Sequence, residues 1–187
     1  MINLLKIVAS CETENIDIGK LKIGDIFYLS GMLATGRDEV YHRVVEENIM
    51  PPVSLKDMAI YHAGPIVKEI TPDKQWELVS LGPTTSARME KWAPDFLEKT
   101  GVRVMIGKGG MGEKTAESCK KYGAIHCVYP GGCAVLGASQ IEKIENCYWP
   151  EFGMAECMWI MTTKLFGPLI VSIDTQGNNL FKKNKSG

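Results

Sequence analysis

Three times in this chain a strand-like run breaks at glycine and restarts with a cation or a hydroxyl in the first turn of a helix. The segments are Leu33-Ala34-Thr35-Gly36-Arg37-Asp38, Gly82-Pro83-Thr84-Thr85-Ser86-Ala87-Arg88 and Gly107-Lys108-Gly109-Gly110-Met111-Gly112. A strand that feeds a helix through a tight turn builds α/β architecture, and repetition of the unit places the turns along one edge of a sheet. Glycine lets backbone amides approach a guest closely, and a helix N-terminus presents unpaired N–H groups and positive potential. An anion is the guest that such a turn favours. Arg37, Arg88 and Lys108 add formal positive charge at the same places. Two guanidinium forks suit two carboxylates, since each matches a carboxylate bidentately.

Punctuation elsewhere predicts the remaining elements. Strands are expected at residues 4–9, 25–30, 58–62, 76–80, 102–106 and 124–129, with turns at 32–36, Gly64-Pro65, Gly82-Pro83 and 130–132. Thr35 is a candidate cap for a helix from Arg37 to about Asn48, stopped by Pro51-Pro52. Thr84 or Thr85 is expected to cap a helix running to Trp92, with a second helical piece over 94–99 closed by Gly101. Residues 113–122 read as a helix closed by Gly123, and 134–145 as another. From Tyr148 onward the pattern is strand-like, over 156–163 and 168–174, before a Gln176-Gly177-Asn178 turn and a polar tail at 182–187 expected to fray. The whole chain, 1–187, reads as a single compact α/β domain.

The glycine loop at 107–112 satisfies G-x-G-x-x-G between a strand and a helix, the dinucleotide fingerprint. That fingerprint needs an acidic residue at the end of the following strand to hold a ribose. Here that strand ends in Pro130-Gly131-Gly132, and the nearest acid beyond is Glu142. Gly112-Glu113-Lys114-Thr115 imitates a phosphate loop with its lysine displaced. A nucleotide is therefore disfavoured and a small anion favoured. His42, on the Arg37 helix, and His62, at a strand end, are candidates to titrate in a site, whereas His126 reads as core.

Bulk properties narrow the partners. A formal charge of -1 gives no reason to expect nucleic acid or a membrane surface, and no apolar run approaches the length of a spanning helix. The six cysteines, Cys11, Cys119, Cys127, Cys133, Cys147 and Cys157, include no C-x-x-C pair, which fits neither a zinc site nor a ferredoxin-type cluster. They read as small buried hydrophobes. Without a signal peptide, a reducing cytoplasm is the expected compartment.

Taken together, Thr35-Gly36-Arg37-Asp38 with His42 and Arg43, His62-Ala63-Gly64-Pro65, Gly82-Pro83-Thr84-Thr85-Ser86-Ala87-Arg88-Met89, Gly107-Lys108-Gly109-Gly110-Met111-Gly112, Tyr129-Pro130-Gly131-Gly132 and Trp149-Pro150-Glu151-Phe152-Gly153-Met154 resemble the C-terminal domain of class I fumarate hydratase. In two-subunit relatives this is the separate β subunit, and L-tartrate dehydratase has a similar one. The resemblance implies a swivelling β/β/α domain. It also implies a larger α subunit that holds a [4Fe–4S] cluster through its own cysteines, with no metal bound by this chain. Arg37, Arg88 and Lys108 fall on the family's dicarboxylate-binding positions. Thr84 falls on its proposed base, the group that takes the carbon-bound proton. Asp38, His42, His62 and Thr85 are candidates to support them. Relatives often carry Ala where this chain has Tyr41, and Gly where it has Ala87; neither change is expected to touch a site residue.

The expected function is therefore that of a β subunit in reversible hydration of fumarate to L-malate, inactive without its partner and compatible with homo-oligomers. Tartrate or a methylated dicarboxylate is the alternative substrate. A stand-alone dicarboxylate-binding or regulatory domain is the alternative of another class.

Overall fold

A computed structural model describes residues 17–56, 58–70 and 76–182. The strand expected at residues 4–9, Cys11 and the tail beyond Lys182 lie outside the described residues. Four parallel strands carry the turns noted in the sequence: β1 (Ile26–Thr35), β2 (Ala59–Tyr61), β5 (Val104–Gly107) and β6 (Ile125–Val128). They pair in the order β1-β2-β5-β6, with Leu33 beside Ala59, Ala59 beside Val104 and Val104 beside Ile125. Residues 33–35 of β1, β2, β5 and residues 125–127 of β6 are buried on both faces, as strands covered on both sides require. Alternate residues accordingly feed two cores: Leu33, Tyr61, Ile106 and Cys127 one, Ala34, Ile60 and Met105 the other.

The last strand, β8 (Met158–Ile173), turns this row into a closed circuit. It runs antiparallel to β1 from Ala34–Ile160 to Ile26–Ile170, and its end also pairs with β6 at Cys127–Val171. Its first half carries β7 (Ile141–Tyr148) on the outside. Between β2 and β5 the chain makes an antiparallel hairpin, β3 (Ala63–Glu69) and β4 (Trp76–Pro83). Ala63, Val67 and Leu81 of the hairpin join Phe27, Leu29 and Val171 in the first core. Helix α4 (Ala134–Ser139) packs on β4 so closely that a Cβ on Gly137 would come 2.5 Å from the Leu81 carbonyl oxygen.

Helices α1 (Asp38–Val45), α2 (Ala93–Thr100) and α3 (Glu113–Tyr122) bury Val40, Tyr41, Val44, Phe96, Leu97, Ala116 and Cys119 in the second core. Tyr41 stacks on Phe96 with ring centroids 4.0 Å apart, fixing α1 to α2. Gly101 and Gly123 end α2 and α3 in the left-handed conformation, at φ 71° and 64°, as the sequence predicts. The architecture is mixed α/β, as expected, with α1, α2 and α3 on one side of the sheet and the hairpin with α4 on the other. No helix among the described residues is long and apolar enough to cross a membrane.

Several local expectations are overturned. Residues 32–35 are strand, not turn: β1 continues to Thr35 because β8 pairs with it throughout. Thr35 does not cap α1; its buried hydroxyl accepts the Trp159 N–H at 3.0 Å and faces the Cys157 carbonyl at 3.4 Å. Gly64-Pro65 lies within β3 rather than in a turn. After Thr85 comes a short 3-10 helix, Ser86–Met89, with no side-chain cap. Residues 141–145, expected to be helical, lie in strand β7, since pairing with β8 outweighs the helical propensity of Glu142, Lys143 and Glu145. The two expected C-terminal strands are one bent strand, β8, with Leu165 and Gly167 at positive φ where it turns.

Candidate active site

The carboxyl ends of β1, β2 and β5 bring Gly36-Arg37, His62 and Lys108 to one edge. The hairpin leaves this edge at His62 and returns to it at Thr84, whose N–H donates to the His62 carbonyl at 2.7 Å. The Lys108 N–H then donates to the Thr84 carbonyl at 2.9 Å, and the Ser86 N–H to the Lys108 carbonyl at 3.0 Å. Thr85 and Lys108 thus form a parallel bridge that ties the second glycine junction to the third. Gly131, after β6, borders the Lys108 stem at van der Waals distance. The backbone of Thr84 is held on both sides, while its half-buried hydroxyl makes no hydrogen bond among the described residues. The exposed Lys108 ammonium likewise has no ion pair among them.

The two arginines are held by carboxylates. Arg88 meets Asp38 side-on, Nε to Oδ1 at 3.1 Å and Nη2 to Oδ2 at 2.6 Å. Arg37 lies over Gly64, where a Cβ would come 2.6 Å from Nη1, and pairs through Nη2 with Glu156 at 2.9 Å. Burial raises the Glu156 pKa, and Arg37 partly offsets that rise. Because Asp38 follows Arg37 directly, the Arg88 and Arg37 clamps adjoin at the start of α1. Beyond it, Arg43 stacks on Phe152 at 3.9 Å and bonds Glu151, which seats the Trp149–Met154 motif against α1.

Beneath Thr84 runs a fully buried polar chain: Tyr41 Oη to His62 Nε2 at 2.8 Å, His62 Nδ1 to Ser86 Oγ at 2.9 Å, Ser86 Oγ to His126 Nε2 at 3.0 Å, and His126 Nδ1 to Ser172 Oγ at 2.5 Å. Counting protons fixes every direction. Ser172 donates its single proton to the His126 carbonyl at 3.1 Å, so it accepts from His126 Nδ1–H. Neutral His126 then accepts at Nε2 from Ser86, which accepts from His62 Nδ1–H, and His62 Nε2 accepts from Tyr41. Each imidazole is a neutral Nδ1–H tautomer with both nitrogens satisfied. Burial lowers both histidine pKa values, His126 to about 3. Tyr41, expected to touch no site residue, is the terminal donor of this chain.

The glycine loop departs from the anion cradle expected of it. The N-terminus of α3 is already filled by Glu90, which accepts the Gly112 N–H at 2.7 Å, the Thr115 N–H at 3.2 Å and the Thr115 hydroxyl at 2.6 Å. A Cβ on Gly112 would come 2.7 Å from that carboxylate. Charge-assisted capping of this kind contributes about 1–3 kcal/mol. Glu90→Ala is expected to lower the unfolding free energy by about 2 kcal/mol, read from the urea midpoint at constant slope; an unchanged midpoint would refute the capping role.

Of the residues singled out in the sequence, the structure gathers Arg37, Asp38, His62, Thr84, Thr85, Arg88 and Lys108. It directs His42 elsewhere, to Glu46, Glu47 and the edge of Trp92. Glu90, Glu156, Ser86 and Ser172 were missed. Ser86 lay inside a quoted motif, but the others carry no local signal: their partners are 22 to 119 residues away. Among the described residues no three His, Cys, Asp or Glu side chains gather as a metal-ligand set.

Residues 3–184 match the family model described as Fumarase C-terminus. The chain is 52% identical over 169 residues to the L(+)-tartrate dehydratase subunit beta of Escherichia coli (strain K12), covering 90% of this chain and 83% of that protein. It is 40% identical over 171 residues to a Methanocaldococcus jannaschii protein provisionally described as the same subunit, covering 89% and 87%. It is 37% identical over 163 residues to a Geobacillus stearothermophilus protein provisionally described as fumarate hydratase class I, covering 87% of this chain and 31% of that one. The chain belongs to the Fumarase C-terminus family and is a hydro-lyase subunit of the β type.

Proposed function

We propose that this subunit binds a four-carbon dicarboxylate at the edge formed by Arg37, Thr84, Arg88 and Lys108, for reversible addition of water to fumarate or removal of water from L-tartrate. The observation that carries the reading is convergence: three cations and one unbonded hydroxyl meet at one sheet edge from three separate glycine junctions. Arg88 orients one carboxylate with the guanidinium edge that Asp38 leaves open, and Arg37 the other with the N–H bonds not committed to Glu156 and the Ala155 carbonyl. Lys108, one main-chain hydrogen bond from Thr84, favours negative charge as it develops on the substrate. Thr84, as the alkoxide left once its hydroxyl has given up its own proton, takes the proton at the carbon beside a carboxylate, its backbone held so that the side chain alone can rotate. Asp38, His62 and Thr85 hold these groups in place. The larger α subunit carries the [4Fe–4S] cluster in this reading and completes the pocket.

Tartrate is favoured as substrate by the 52% identity to a tartrate dehydratase β subunit, against 37% to the fumarate hydratase relative. Anaerobic reconstitution with the α subunit, followed by kinetics on fumarate, L-malate and L-tartrate, decides between them. Arg88→Ala is expected to reduce kcat/KM by about 10–100-fold, the worth of a charge-assisted bond. Near wild-type turnover in that variant would remove Arg88 from the site.

A further inference from the structure

We propose that Cys147 and Cys157 form a disulfide-forming dithiol, a modification site for a small disulfide oxidant. Cys147 lies on β7 opposite Trp159, and Cys157 immediately precedes β8. The two are diagonal neighbours on one face, with Cys147 S–H donating to Cys157 Sγ at 3.3 Å and Cys157 S–H facing the Met154 carbonyl at 3.5 Å. Closing the bond to about 2.05 Å needs little more than 1 Å of approach between the sulfurs.

Access is also present. A cavity of about 270 Å³ is lined by both cysteines together with Glu69, Trp76, Asn146 and Met154. Cys147 is partly exposed and Cys157 buried. Cys147, the more exposed of the two, is the thiol an oxidant meets first, while the hydrogen bond with Cys147, then burial, raises the Cys157 pKa. Cys119 and Cys127 differ: both are buried, burial pushes the Cys119 thiol up to about 12, and it raises Cys127 too.

The chemistry balances with a dialkyl disulfide such as glutathione disulfide. Cys147 thiolate attacks one sulfur of the oxidant and expels a thiolate. Cys157, losing its proton, attacks Cys147 Sγ in the mixed disulfide and expels the second. Two protein thiols are oxidised, one small disulfide is reduced to two thiols, and the protons pass to those products. The bond lands on the segment that holds Arg37, since Ala155 and Glu156 directly precede Cys157 and the Cys157 carbonyl faces Thr35.

Titrating the reduced full-length chain with glutathione disulfide, then quenching in acid for intact mass and peptide mapping, tests this. The expected product has lost two hydrogens, links Cys147 to Cys157 and is restored by dithiothreitol. Cys157→Ser is expected to stop at a stable glutathione adduct on Cys147, and Cys147→Ser to form no link and leave Cys157 unmodified. A wild-type chain that keeps the adduct, links another pair, or stays reduced while its urea-unfolded form oxidises would overturn the proposal.

Discussion

Gly107→Ala is expected to lower the unfolding free energy by about 3 kcal/mol or more, the upper end of overpacking in a close-packed interior. An added Cβ would fall on the Ser86 hydroxyl oxygen, 2.9 Å from His62 Nδ1 and 3.1 Å from His62 Cβ. None of these atoms can retreat freely. Ser86 Oγ bridges His62 and His126, and moving it would leave a buried imidazole donor and a buried imidazole acceptor without partners. The Gly107 carbonyl is pinned as well, accepting the Tyr129 N–H at 2.9 Å. Gly109→Ala in the same loop is the control: its φ is +73° with open space around it, so only conformational strain, about 1 kcal/mol, opposes the change. Urea midpoints ranked wild type, then Gly109→Ala, then Gly107→Ala are the expected result. Equal midpoints for the two variants would mean that backbone freedom, and not room for Ser86, is why glycine stands at 107.

That contrast shows what the glycine pattern encodes. Read along the chain, Gly107-Lys108-Gly109-Gly110-Met111-Gly112 advertises space for a guest. In the fold, Ser86 takes the space at Gly107, Phe181 that at Gly110, and Glu90 that at Gly112. Close approach was legible; the identity of what approaches was not, because those groups come from other elements. The parallel strands, the edge where their turns gather and the four principal candidates were legible, since each rests on a local strand–glycine–helix transition. Closure of the sheet was not: it depends on β8 pairing with β1 across more than a hundred residues. Residues 141–145 failed for the same reason, their charged pattern fitting an exposed helix until β8 supplies a partner. The carboxylates Asp38 and Glu156 carry the same lesson to the site. The sequence displays the arginines, while the geometry that aims them depends on partners outside the motifs or, for Asp38, on an arginine 50 residues away.

Acid should unfold this subunit well above the range in which carboxylates titrate. His62 and His126 are fully buried, neutral and committed at both nitrogens, facing Tyr41, Ser86 and Ser172, and among the described residues no carboxylate is hydrogen-bonded or paired to either ring. In the unfolded chain each takes a proton near pH 6.5, whereas in the native state burial holds His126 neutral to about 3 and depresses His62 well below its ordinary value. A lowered native pKa means that the unfolded state binds more protons through this window, so stability is complete above pH 6.5 and falls as the pH drops. The limiting slope is about 1.4 kcal/mol per pH unit for each imidazole, which by pH 5 amounts to about 2 kcal/mol for His126, with His62 adding a loss of the same sign. Glu156, its pKa raised by burial, works in the opposite sense, and only near the carboxylate range. Urea unfolding at pH 7.5, 6 and 5 should therefore show a steep loss, and His126→Gln should remove close to half of the slope whatever it does to the intercept. A free energy of unfolding that stays level from pH 7.5 to 5 would mean that the two rings accept protons in place, and that the one-way chain from Tyr41 to Ser172 does not exist in solution.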